Sequence, residues 1–245
     1  MPGLDREIVR EIDWERAIQN ILLDARSDFV LSPHFDLIYN RASQRLIEKT
    51  TQELRSGTYQ PRLPITFSVP KSNFLTRPGS TLEPQDRLVH QALLEQSLPL
   101  IEENMDRTRS FSHVPNGENA LFQPSHEGWD AFQARVRDIS NEHPYVLRAD
   151  IANYFETLPQ HAVINLLNAS GVRGEIVNLL EEQLLSFQER RSTGIIQGIY
   201  PSDVLGNFYL SDFDADCEMH GLASARYVDD YNVGIDDESD ARREH

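Results

Sequence analysis

Only one cysteine, Cys217, and two lysines, Lys49 and Lys71, occur in the 245 residues. A single cysteine excludes an intrachain disulfide and fits a reducing, cytoplasmic setting. With lysine so scarce, arginine supplies nearly all the positive charge. No apolar run approaches the roughly 18 residues that cross a bilayer, so no membrane partner is expected. The opening "MPGLDREIVREIDW" is too charged for a secretory signal. Cys217 and His220 find no second pair at zinc-site spacing, which argues against a zinc centre.

Positive charge is short overall. The formal net charge is −16, which speaks against an indiscriminate nucleic-acid binder. The deficit is uneven: residues 1–100 carry 13 acids against 12 Lys and Arg, and residues 101–245 carry 26 against 11. A tail of this kind reads as a solvated face, a flexible end or a cation site. Apolar residues make up 39% and charged residues 25%, so the chain can bury a substantial core as one large domain or two small ones.

The first hundred residues are mainly helical in pattern. "DWERAIQNILLDA" spaces Trp14, Ile18, Ile21 and Leu22 on one face, with Asp13 as N-cap, and "NRASQRLIEKTTQELRSG" predicts a helix stopped by Gly57. "TYQPRLPITFSVPKSNFLTRPGS" holds four prolines and reads as short extended segments and turns. "EPQDRLVHQALLEQSL" returns to helical spacing, with Pro84 suited to the first turn. Residues 104–128 are loop-like, and "WDAFQARVRDIS" predicts a short amphipathic helix. "YVLRADI" is a strand apolar enough for the middle of a sheet. Helices follow at "LPQHAVINLLNASG" and "GEIVNLLEEQLLSF", then a glycine-punctuated turn region at "TGIIQGIYPS". "SDVLGNFYLSDFDADCEM" reads as one helix capped by Ser202. "SARYVDDYNVGI" closes the pattern as two short strands joined by a turn. Strands separated by helices, with a final hairpin, indicate α+β.

The hairpin raises a chemical question. Asp229 and Asp230 repel each other, and a turn needs only one such residue. A third carboxylate, Asp150, ends "YVLRADI". If that strand lies beside the hairpin, the carboxylates converge at one end of a sheet. Clustered carboxylates suit hard divalent cations, and two such ions support phosphoryl transfer. Taken singly, the Asp229-Asp230 pair reads first as a solvated loop, and Asp150 as a strand-end turn former.

Order along the chain adds to this. "RADIANYFETLPQHAV", "TGIIQGIYPSDVLGN" and "ARYVDDYNVG" resemble, in sequence and order, the core motifs of reverse transcriptases. Upstream, "FSVPKSNFLTRPGS" followed by "DRLVHQAL" is similar to the fingers segment of bacterial members. The resemblance implies a right-hand polymerase in which an antiparallel palm sheet is flanked by helices. Residues 1–140 would form N-terminal helices and fingers, and 141–245 a palm interleaved with them. It implies catalytic roles for Asp150, Asp229 and Asp230, with two Mg2+ ions (or Mn2+ in their place) held by Asp150, Asp229, Asp230 and the carbonyl of Ile151. Lys71, Arg77, Phe155 and Gln197 would contact the nucleotide, Phe155 as a gate against the ribose 2′-hydroxyl. Gly198 and Tyr227 would lie against template and primer. Ordinary structural roles stand beside each of these: surface solvation for Lys71 and Arg77, a core ring for Phe155, a helix-entry turn for Gln197 and Gly198, and a strand tyrosine for Tyr227. Arg62, Lys71, Arg77, Arg87, Arg107 and Arg109 would form a basic strip for phosphates.

The expected partners are an RNA template or noncoding RNA, the DNA product and dNTPs. The chain stops fifteen residues after Asp230, so the thumb is expected on a longer protein or on another chain. Homo-oligomers are a further expectation. Within the family the loop "RSFSHVPNGENALF" and the segment "HEGWDAF" look most like the prokaryotic defence-associated, abortive-infection group. Template-independent or protein-primed polymerisation is one alternative, and a catalytically silent RNA-binding or scaffold module is another.

Overall fold

The computed structural model describes residues 4–25, 32–70, 76–116 and 121–237. The chain divides into two compact units, each discontinuous in sequence. The first comprises Met1–Glu103 and Phe155–Ser202, the second Asn104–Tyr154 and Asp203–His245.

The first unit begins with helices α1 (Arg6–Glu11), α2 (Trp14–Asp24), α3 (Pro33–Arg41) and α4 (Ser43–Ser56). Asp13 caps α2 by accepting from the Arg16 amide at 3.0 Å, as its sequence predicts. The helix predicted to begin near Asn40 starts at Ser43, and α3 precedes it as a separate element. Gly57, with φ +70°, closes α4. The proline-rich stretch forms an antiparallel hairpin of β1 (Ile65–Pro70) and β2 (Thr76–Thr81), with Thr66 opposite Ser80. Helix α5 (Pro84–Glu102) starts on Pro84 and buries Leu88, Leu93, Leu94 and Ile101 almost completely. It packs on α2 and on α9 (Gly174–Phe187), which in turn packs on α8 (Gln160–Ala169).

Polar groups thread this core. The Arg87 guanidinium meets the Asp24 carboxylate at 2.7 Å with both side chains buried, and the same carboxylate accepts the Tyr200 amide at 2.8 Å. Asp86 accepts the Tyr59 hydroxyl at 2.7 Å and the Arg62 amide at 3.1 Å. Burial of this sort is tolerated only when such partners are present.

The second unit is built around helix α6 (Ser125–Glu142) and a three-stranded antiparallel sheet of β3 (Tyr145–Asp150), β4 (Ser224–Tyr227) and β5 (Asp230–Ile235). The strand order is β3-β5-β4. The strand "YVLRADI", expected in the middle, is therefore an edge, and its side chains are half-buried or exposed. The hairpin strand β5 takes the centre because both β3 and β4 pair with it. Phe132, Val136 and Ile139 recur at helical spacing and press α6 onto Ala225 and Val146. Burying Phe132 and Ile139 contributes about 1.5–3 kcal/mol each. Gly234 lets the helix end come close: a Cβ there would stand 2.4 Å from the His143 ring.

The expected single helix over 202–219 is two, α10 (Tyr200–Tyr209) and α11 (Ser211–Met219). Pro201 fits a first helical turn, so α10 begins before Ser202 and Ser202 is not its cap. Leu210, at φ −86° and ψ 1°, separates the two. The short helix α7 (Tyr154–Thr157) completes the set. Among the described residues no helix is long and apolar enough to cross a membrane. The architecture is a mix of helices and small antiparallel sheets.

Candidate active site

The three aspartates come together in the second unit. Strand β3 runs antiparallel to β5, with Asp150 directly opposite Asp230. Tyr227 of β4 also pairs with Asp230, leaving Val228 and Asp229 as the turn between β4 and β5. Asp150 is exposed, while Ile151, Asp229 and Asp230 are half-buried. Val228 takes φ +57°. Hairpin turns with positive φ ordinarily place Gly, Asn or Asp there, and a β-branched residue in that conformation is strained.

The electrostatics follow from this crowding. Burial raises the Asp229 carboxyl above the ordinary carboxylate range, and the negative charges of Asp150 and Asp230 push it further. Asp230 has a cation of its own: an Oδ1 lies 3.5 Å from the Arg148 guanidinium. That pair is solvent-exposed and weak. Among the described residues no three His, Cys, Asp or Glu side chains are grouped as a metal site. The donors that match a divalent cation are the oxygens of Asp150 and Asp229, hard ligands whose mutual repulsion a cation would relieve.

The other residues singled out from the sequence are spread over both units. Tyr227 is half-buried, its ring 5.2 Å from Trp129 and 5.9 Å from Phe132, and its hydroxyl donates to the Ser125 carbonyl at 3.4 Å. Phe155 belongs to the first unit, where its side chain is buried and its carbonyl accepts the Ile195 amide at 2.8 Å. Gln197 lines a cleft of about 330 Å³ in that unit, together with Thr66, Ser80, Glu156 and Arg191. Gly198, at φ +86°, occupies the left-handed region that glycine alone enters freely. Arg77 lies in β2 opposite Val69, and Lys71 is outside the described residues.

The expected basic strip is not a set of free cations. Arg87 is buried against Asp24, and Arg62 pairs with Glu83 at 2.6 Å. Arg107 donates to the carbonyls of Ser112 and His113, and Arg109 contacts Asp106 at 3.0 Å. Each of these four arginines is engaged by an acceptor within the fold.

Sequence reasoning also missed Arg226. It is fully buried one residue before Tyr227, with Asp214 and Asn207 around its guanidinium. The available signal was polar Asn207 within the otherwise apolar spacing of Val204, Leu205 and Phe208.

No family model matches the chain. The Escherichia coli (strain K12) protein YkfC is 26% identical over 170 residues, covering 66% of this chain and 42% of YkfC. A chain of a partial Cas6-RT-Cas1–Cas2 complex is similar at a TM-score of 0.51 and 19% identity, over 98% of this chain and 38% of that one. A chain of a Cas6-RT-Cas1–Cas2 complex gives the same TM-score and identity over 98% and 24%. The chain thus spans less than half the length of each. At this identity the structural likeness is one of fold.

Proposed function

We propose that this chain is the fingers and palm of a reverse-transcriptase-type DNA polymerase, adding deoxynucleotides to a 3′ end by metal-dependent phosphoryl transfer. The observation that carries the reading is the strand register: Asp150 stands opposite Asp230 beside the turn bearing Asp229. A scaffold needs none of these mutually repelling groups at one sheet end. The ordered motifs and the fold likeness to a chain of an RT-containing complex support the same reading.

Asp150 and Asp229 would hold the divalent ions, with Mg2+ the expected metal and Mn2+ a substitute, and the Ile151 carbonyl would add a donor. Bound there, such ions would activate the attacking 3′-hydroxyl and neutralise charge on the leaving pyrophosphate. Asp230, held toward Arg148, would add negative charge without being the main ligand. Nucleotide contact by Lys71, Arg77, Phe155 and Gln197, and template or primer contact by Gly198 and Tyr227, belong to the same proposal. So do the division into fingers over 1–140 and palm over 141–245, an RNA template, a thumb supplied elsewhere, and a role in prokaryotic antiviral defence.

The test is extension of an oligo(dT) primer on poly(rA) by the full-length protein with Mg2+, with and without template. Template-dependent extension that vanishes in Asp229→Ala is the expected result. Extension without template would move the assignment to template-independent polymerisation. No incorporation under any divalent cation would overturn the enzymatic reading.

A further inference from the structure

We propose that Arg226 is a positioning residue that, from beneath the Val228–Asp229 turn, fixes the backbone carrying Asp229. The proposal rests on the polymerase reading only for its catalytic consequence; the structural claim stands on the contacts themselves.

Arg226 is completely buried, and every guanidinium nitrogen is engaged. Its Nε donates to Asp214 Oδ1 and Oδ2 at 2.9 and 2.8 Å. Its Nη2 donates to Asp214 Oδ2 at 2.6 Å and to the Asn207 carbonyl at 2.9 Å. Its Nη1 donates to Asn207 Oδ1 and, at 3.2 Å, to the Val228 carbonyl. That last acceptor belongs to the peptide unit leading into Asp229. The other side of the same residue is also held, since the Val228 amide donates to Ser112 Oγ at 3.3 Å.

Both backbone polar groups of Val228 are thus tied to buried side chains. This matters because Val228 has a positive φ that its branched side chain disfavours. Strained backbone persists only where its surroundings over-determine it, and it concentrates at functional sites. A buried ion pair is a poor device for stability alone, because desolvation offsets its Coulombic gain. Its advantage here is geometric: a planar fork meets a carboxylate, an amide and a backbone carbonyl in fixed directions. Asn207 from α10 and Asp214 from α11 are the fixed points to which the turn is referenced. Tyr231 adds a hydroxyl to Asp214 Oδ1 at 3.1 Å.

Three variants of the full-length protein test this. Arg226→Lys keeps the charge and loses the fork, Ser112→Ala removes the acceptor for the Val228 amide, and Arg226→Met with Asp214→Leu replaces the pair by apolar groups. The readouts are Tm, amide hydrogen exchange of the peptide spanning 224–231, Mn2+ affinity, and single-turnover incorporation resolved into kcat and KM. For Arg226→Lys we expect faster exchange at the turn, weaker Mn2+ binding and a kcat loss on the order of 10²-fold with KM nearly unchanged. Ser112→Ala should shift the same readouts less. The apolar pair leaves the Tyr231 hydroxyl and the Val228 carbonyl without these partners and should lower Tm. It should still lose kcat at temperatures well below that Tm, which a merely structural role would not produce. If the apolar pair fails to fold, the other two carry the test. Parental exchange and Mn2+ affinity in both Arg226→Lys and Ser112→Ala would overturn the proposal. A parent protein that neither incorporates nucleotides nor binds Mn2+ would defeat the polymerase reading instead, with the exchange data still deciding the role of Arg226.

Discussion

Asp150 and Asp230 are direct register partners across β3 and β5. In an antiparallel pair, opposed residues project on the same face of the sheet, so like charges here destabilise unless something offsets them. Arg148 offsets Asp230 in part, at 3.5 Å. Asp229, one residue outside the ladder, has its carboxyl raised by burial first and then by the charges of Asp150 and Asp230.

That shift has a definite sign. A carboxyl with a raised pKa in the folded protein takes up protons more readily there than in the unfolded chain, so stability declines as pH rises above the ordinary carboxylate range. Asp229→Asn should therefore raise the Tm at pH 7 without divalent cations. The gain should shrink as pH falls toward 4. Added Mg2+ should stabilise the parent more than the variant while incorporation by the variant drops on the order of 10²–10³-fold. Melting curves at several pH values with EDTA or Mg2+ decide it, and a lower Tm at pH 7 in EDTA would contradict the assignment.

The proposed gate role of Phe155 is best tested with a smaller change than alanine. Its side chain is buried, and truncating a buried phenylalanine to alanine costs about 3–5 kcal/mol. Phe155→Val should lose less stability while still shrinking the ring. Incorporation of ribonucleotides relative to deoxynucleotides should rise on the order of tenfold, a differential barrier of about 1.4 kcal/mol. An unchanged ratio on folded protein would return Phe155 to the core.

Some of this was legible in the residues. The Asp13 cap, the Gly57 stop, the Pro84 start and the final hairpin each depend on a few neighbours along the chain. The pairing of the Asp150 strand with the hairpin stood as a condition for the three carboxylates to converge, and the register of β3 on β5 meets it. The edge position of β3 was not legible, since strand order is set by long-range pairing that no local run of residues states. The break at Leu210 and the burial of Arg87 and Arg226 were hidden for a related reason. An arginine reads as solvated until its partner, Asp24 or Asp214, is placed beside it by tertiary structure.

His90 offers a check on the first unit. It is buried with Nδ1 3.0 Å from Gln183 Oε1, and burial lowers its pKa to about 4. A histidine kept neutral in the fold but protonated when unfolded withdraws stability as pH falls from about 6.5 to 4. The loss is up to about 3 kcal/mol. His90→Gln keeps an amide donor for Gln183 and cannot titrate. Urea unfolding between pH 7 and 4.5 should show a flatter pH dependence for the variant, and parallel curves would refute the buried neutral form.

The turn itself supplies the last prediction. Val228 holds φ +57°, a conformation that costs an L-residue about 1–2 kcal/mol. Glycine would relieve that strain but add about 0.5–1 kcal/mol of entropy lost on folding. Val228→Gly should therefore leave global stability within about 1 kcal/mol of the parent. Function should respond differently. With glycine, more backbone conformations open to the turn, and the contacts from Arg226 and Ser112 no longer select a single one. Asp229 would then sample positions away from Asp150, and turnover should fall on the order of tenfold with KM for the nucleotide nearly constant. Thermal melts and single-turnover kinetics on the same preparation separate the two effects. A large loss of Tm would show that the valine side chain is needed for packing, and a parental rate would show that the strained turn does not set the place of Asp229.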